Sequence, residues 1–138
     1  MKKIILLSAS ILVLIFSCSK DDDGPMGGGS ADLIGTWNLD YYVQDGKLTE
    51  EIICDELVEY IFSANRTYKV TTFSGSSTTN CATAVQINGT WENIGNNDYK
   101  LTPNGGTAGP DLNITFQDNF RKFSSEISAS RTEVFSKK

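Results

Sequence analysis

Gly35-Thr36-Trp37-Asn38-Leu39-Asp40-Tyr41-Tyr42-Val43 decides the fold, because from Trp37 onward it alternates apolar and polar side chains and ends at Asp45-Gly46. A repeat of two is the period of a half-buried strand, and Asp-Gly is a tight-turn pair. Trp37, Leu39, Tyr41 and Val43 then share one face, and Asn38, Asp40 and Tyr42 the other. Runs of the same kind follow at intervals of 8 to 15 residues, which predicts strands at Thr36–Val43, Leu57–Ser63, Thr67–Phe73, Val85–Asn93, Tyr99–Thr102, Leu112–Gln117, Phe120–Ile127 and Arg131–Ser136. Turn residues separate them at Ala64-Asn65, Gly95-Asn96-Asn97-Asp98, Gly105-Gly106 and Asp118-Asn119. Only Glu50 to Val58, which carries Cys54, reads as a short helix or irregular crossover. The fold class is all-β. Eight short antiparallel strands either curl into a sandwich or close into a small up-and-down barrel, and closure, which removes exposed edges, favours the barrel.

Alternation also predicts the interior. Besides the face of Trp37, it assigns inward positions to Val58, Tyr60 and Phe62, to Tyr68, Val70 and Thr72, to Val85, Ile87, Gly89 and Trp91, and to Leu112, Ile114 and Phe116. Whether a barrel so lined is packed solid or holds a cavity does not follow from the alternation.

Upstream of this body, Lys2 and Lys3 precede an uncharged apolar run from Ile4 to Phe16, then Ser17 and Cys18. That run is 13 residues long, against roughly 20 for a bilayer-spanning helix, so it reads as a cleaved export signal over residues 1–17. Ile15-Phe16-Ser17-Cys18 resembles the lipobox of bacterial prolipoproteins, with an aliphatic residue three before the cysteine and a small residue just before it; Phe16 is bulkier than the usual residue there. The resemblance implies that Cys18 becomes the first residue of the mature chain and carries fatty-acyl groups such as palmitate. Residues 18–30 continue with Asp21-Asp22-Asp23 and a Gly/Ser-rich stretch, a composition too polar to bury a core and suited to a flexible tether. The three carboxylates lack the spaced ligands of a calcium loop. An acidic run after the cysteine is similar to the signal that carries lipoproteins to the outer face of the outer membrane in some Gram-negative bacteria. A lipid-anchored, outer-membrane location with cell-surface exposure is therefore expected.

The domain proper is residues 31–138. Net charge is −5 and becomes −7 once Lys2 and Lys3 are removed, with no cluster of Lys and Arg, which argues against nucleic acid as a partner. Histidine is absent, and carboxylates such as Asp40, Glu59 and Glu92 stand without a nucleophile elbow or phosphate loop. No enzyme, cofactor or metal site is expected. With Cys18 assigned to the lipid, Cys54 and Cys81 form an even pair in an oxidising compartment, and a disulfide between them is predicted.

Leu33-Ile34-Gly35-Thr36-Trp37-Asn38-Leu39 resembles the Gly-x-Trp opening strand of lipocalins, and more closely that of the small lipocalin-like domains of bacterial surface lipoproteins. Cys54, Tyr60-Ile61-Phe62, Thr67-Tyr68-Lys69-Val70, Cys81 and Gly89-Thr90-Trp91 follow in the order that family shows, so the resemblance spans the body. It implies an eight-stranded barrel in which Trp37 plugs the closed end beneath Arg131 from the last strand. It also implies carriage of a small hydrophobic molecule in the barrel mouth, for which Tyr41, Tyr60, Phe62, Tyr68 and Trp91 are the candidate ligand-binding residues. The competing expectation is a filled barrel that meets protein or glycan through the loops Phe73–Ala84 and Thr102–Asp111. In either case the protein is expected to be a monomer.

Overall fold

Each alternating run becomes a strand in the computed structural model, which describes residues 29–107, 109 and 111–138. The expected signal segment, Cys18 and the tether as far as residue 28 lie outside the described residues. The strands are β1 (Gly35–Gln44), β2 (Lys47–Thr49), β3 (Val58–Phe62), β4 (Thr67–Ser74), β5 (Ala82–Gly95), β6 (Asp98–Pro103), β7 (Leu112–Asn113), β8 (Thr115–Gln117), β9 (Lys122–Ser128) and β10 (Arg131–Lys137). All neighbours are antiparallel, in the order β7-β6-β5-β4-β3-β1-β10-β9-β8, with β2 paired to β1. Sequential hairpins plus one return pairing, β1 against β10, make an up-and-down meander that curls on itself.

The count of eight strands needs correction to ten among the described residues, for two local reasons. Leu112–Gln117 was expected as one strand but breaks at Ile114: β7 pairs with β6 and β8 pairs with β9. The two edges of the sheet are therefore consecutive in the chain, and Ile114, fully buried with its N–H donated to the Asn97 carbonyl at 2.9 Å, is the point where the nearly closed barrel meets itself. The other addition, β2, is three residues with too little alternation to register as a run. Asp118, Asn119 and Phe120 all take left-handed backbone angles, so β9 starts at Lys122 rather than Phe120. Of the two expectations for Glu50–Val58, the irregular crossover holds: its helical part is a single 3₁₀ turn at Cys54–Glu56.

A four-residue helix, α1 (Ser30–Leu33), closes one end of the barrel; the Gly29 N–H donates to the Asp32 carboxylate at 2.8 Å and ties its first turn. Leu33 is fully buried there, and its carbonyl accepts the Trp37 indole N–H at 2.8 Å. Behind it stands an aromatic plug: Trp37 meets Phe123 edge-on at 4.8 Å, Phe123 stacks on Phe135 at 4.8 Å, and Phe62 meets Trp91 edge-on at 6.0 Å. Such pairs add about 0.5–1.5 kcal/mol each beyond the area they bury.

The third dimension changes the inward assignment of Tyr41 and the cover over Val85 and Ile87. A β-bulge between Leu39 and Tyr41 inserts Asp40, and the extra residue inverts the alternation beyond it. Tyr42, not Tyr41, joins the core, while Asp40 turns outward to accept bonds from Lys122 and Ser136, both at 2.8 Å. The Lys122 bond is the main reason the Asp40 carboxyl is held below its ordinary range. Val85 and Ile87, expected inside, are 52% and 42% exposed, because β6 pairs with β5 only from Gly89 onward and leaves the first half of β5 with β4 as its strand neighbour. Arg131 does not cover Trp37. Lys137 is the residue opposite Trp37 in register, and its ammonium lies 5.1 Å from the indole; Arg131 is six positions away, about 20 Å along the strand, and stacks on Tyr42 at 3.9 Å.

Cys54 and Cys81 form the expected disulfide, Cα to Cα 5.2 Å. It fastens the crossover before β3 to the loop between β4 and β5, where Cys54 N–H donates to Ser77 O at 2.8 Å and Gly75 N–H to the Asp55 carboxylate at 2.8 Å.

Candidate functional site: an open cavity opposite the plug

Away from the aromatic plug, toward the other end, the barrel holds a cavity of about 310 Å³. Its wall comes from β3 (Tyr60), β4 (Tyr68, Val70), β5 (Ile87), β6 (Leu101, Pro103), the residues ahead of β7 (Gly109, Asp111), β7 itself (Leu112) and the end of β9 (Glu126, Ile127). The period of two explains the selection: Tyr68 and Val70 are next-but-one neighbours on β4, and across the ladder Val70 pairs with Ile87. Gly89 is required beside them. A Cβ at that position would overlap the Thr102 carbonyl and lie 2.6 Å from the Tyr68 ring, so only glycine lets Tyr68 and β6 approach each other.

Most of the wall is apolar. Tyr60 brings a hydroxyl whose pKa is pushed up to about 12, first by burial and then by the negative charge of Glu133 and by Tyr68, so it stays a protonated donor across the physiological range. Burial also raises the Tyr68 phenol. Beside the wall, Glu133 is 8% exposed and accepts from Arg131 Nε at 2.8 Å. Arg131 also donates to the Gln44 side chain at 3.4 Å, and Tyr42, beneath its guanidinium, donates from its hydroxyl to Glu56 at 2.8 Å. This chain of contacts clamps the ends of β1 and β10 to the crossover before β3.

Of the five residues expected to bind a ligand, the structure brings Tyr60 and Tyr68 together in the cavity. Phe62 and Trp91 belong to the plug, 1% and 2% exposed, and the Trp91 indole N–H is taken by the Ser63 carbonyl at 3.2 Å. Tyr41 lies on the outer surface, its ring facing the Lys122 ammonium at 5.7 Å. Val70, Ile87 and Leu112 were expected inside without being singled out, whereas Leu101, Pro103, Asp111, Glu126 and Ile127 were not anticipated. Inward apolar positions at the mouth end of each strand would have found Leu101 and Ile127; Asp111 and Glu126 carry no sequence signal of their own. A polar depression of about 850 Å³ lies outside the closed end among Asp118, Asn119, Arg121, Lys122, Ser136 and Lys137, but Lys122 is engaged by Asp40, and Lys137 by Trp37 and the Asp32 carbonyl. No cluster of three or more metal-ligating side chains occurs among the described residues.

An antiparallel meander closed by a tryptophan-centred plug and open at an apolar cavity is compatible with holding a small molecule. The family model described as a lipocalin-like domain matches residues 33–119, more than half of the chain, and the protein belongs to that family. Neither the curated proteins nor the solved structures give a match.

Proposed function

We propose that this is a lipid-anchored, non-enzymatic binding protein that holds a small hydrophobic molecule in the open end of its barrel. The observation that carries the reading is the cavity. Its volume of about 310 Å³ equals the share of roughly ten liquid waters and falls at the lower end of the ~300–1,000 Å³ typical of ligand sites. Its wall is aliphatic and aromatic with few polar groups, as expected for a site that binds by removing apolar surface from water and orients its ligand with a small number of hydrogen bonds. The sequence features before Ser30 supply the rest of the proposal: a signal removed before Cys18, acylation of Cys18, and a tether that holds the barrel at the outer membrane, exposed on the cell surface.

The binding claim is tested with the neutral fluorescent probe N-phenyl-1-naphthylamine on the mature chain. Saturable one-to-one binding, abolished in an Ile87→Trp variant that fills the mouth from an already exposed position, is the expected result. Absence of probe binding, or binding indifferent to Ile87→Trp, overturns it and leaves the loops as the interaction surface. For the anchor, a Cys18→Ser chain expressed in a lipoprotein-processing bacterium should lose incorporation of a fatty-acid analogue; undiminished labelling contradicts the assignment.

A further inference from the structure

The charge around the cavity restricts what kind of apolar molecule fits. Asp111 and Glu126 are the charged side chains of its wall, and both are acidic. Among the described residues neither takes part in an ion pair, unlike Glu133, whose charge is met by Arg131. Arg131 is thereby committed: its Nε is on Glu133, and its guanidinium carbon lies 3.9 Å from the centre of the Tyr42 ring. Among the described residues, no lysine or arginine lines the cavity to receive an anion.

Asp111 and Glu126 are both exposed, at the mouth of the cavity. Two unpaired carboxylates at the rim of an apolar cavity attract a positive group and repel a negative one.

Resting on the carrier reading above, we propose that the cavity selects cationic amphiphiles, molecules with an alkyl or aryl body and an ammonium end, and discriminates against fatty-acid carboxylates. The apolar body occupies the wall formed by Val70, Ile87, Leu101 and Leu112, while the ammonium lies between Asp111 and Glu126.

Three ligands of one chain length separate the contributions: dodecylamine, dodecanol and dodecanoate, each used below its aggregation concentration to displace N-phenyl-1-naphthylamine from the mature chain at neutral pH. Dodecylamine should displace the probe at a concentration at least tenfold lower than dodecanoate, with dodecanol between them. In an Asp111→Asn/Glu126→Gln double variant, whose changes lie at the mouth, the gap should collapse to less than threefold while dodecanol is unaffected. Equal or better displacement by dodecanoate overturns the selectivity and leaves the carrier reading intact, as does a gap that survives the double variant. Failure of the probe to bind wild-type protein removes both.

Discussion

Replacing Tyr42 with leucine and Arg131 with methionine, singly and together, tests which aromatic ring the arginine of the last strand supports. The Arg131 guanidinium carbon lies 3.9 Å from the centre of the Tyr42 ring, and its side chain is 22% exposed. Cation–π pairs contribute about 0.5–1 kcal/mol when exposed and about 2 when desolvated, so this intermediate case should give a coupling of about 1 kcal/mol. Tyr42→Leu also removes the bond to Glu56, and Arg131→Met the pairing with Glu133, but each loss appears in the single and the double variant and cancels in the cycle. Arg131 and Trp37 sit at opposite ends of the barrel, and residues so far apart add to within about 0.3–0.5 kcal/mol. Urea denaturation of the two cycles, Tyr42/Arg131 and Trp37/Arg131, with Trp37→Phe in the second, measures both couplings. A larger coupling between Arg131 and Trp37 than between Arg131 and Tyr42 would refute the register of β10 on which this reasoning depends.

Three further outcomes follow from the same contacts. Joint replacement of Cys54 and Cys81 by serine frees a 27-residue loop, which in the chain-entropy account costs about 3.5 kcal/mol and lowers the melting temperature by about 14 °C at ~4 °C per kcal/mol; a calorimetric shift under 3 °C would show that the crossover does not depend on the bond. Gly89→Ala should destabilise by about 3 kcal/mol or more in urea, because the new Cβ meets the Thr102 backbone, which cannot rotate away as a side chain can; a loss below 1 kcal/mol would argue against the close approach of β5 and β6. Folding raises the Tyr60 phenol from 10.0 to about 12, so on alkalinisation the unfolded chain loses this proton first; the stabilisation is complete below pH 10 and is lost as pH rises to about 12. Absorbance at 295 nm should show a late ionisation step that disappears in Tyr60→Phe, and an unchanged titration would remove Tyr60 from its buried position.

Much of the fold was legible because a strand writes its period into the sequence. The eight predicted runs are the walls of the barrel, and the disulfide followed from counting cysteines once Cys18 was assigned to a lipid anchor. The exceptions share one cause: side-chain alternation reports a face only while the register is regular and both neighbours are present. The bulge at Asp40 exchanged Tyr41 for Tyr42, the break at Ile114 sent two halves of one run to opposite sides of a seam, and the short β6 left Val85 and Ile87 uncovered.

For the site, the sequence could identify inward positions but not their height along the barrel axis. Tyr60 and Phe62 are adjacent inward residues on one strand and stack at 5.6 Å, yet one lines the cavity and the other belongs to the plug. Arg131 was placed by analogy at the wrong end for the same reason.

By itself, the sequence determined an all-β domain with an aromatic interior, the pairing of Cys54 with Cys81, and acidity without histidine, because period, composition and count are local or additive properties. Only the tertiary structure decided that the barrel is filled at the Trp37 end and open at the other, and that Asp111 and Glu126, 15 residues apart in the chain, share one mouth. Those facts depend on register and strand length summed around a nearly closed sheet, and no single segment contains that sum.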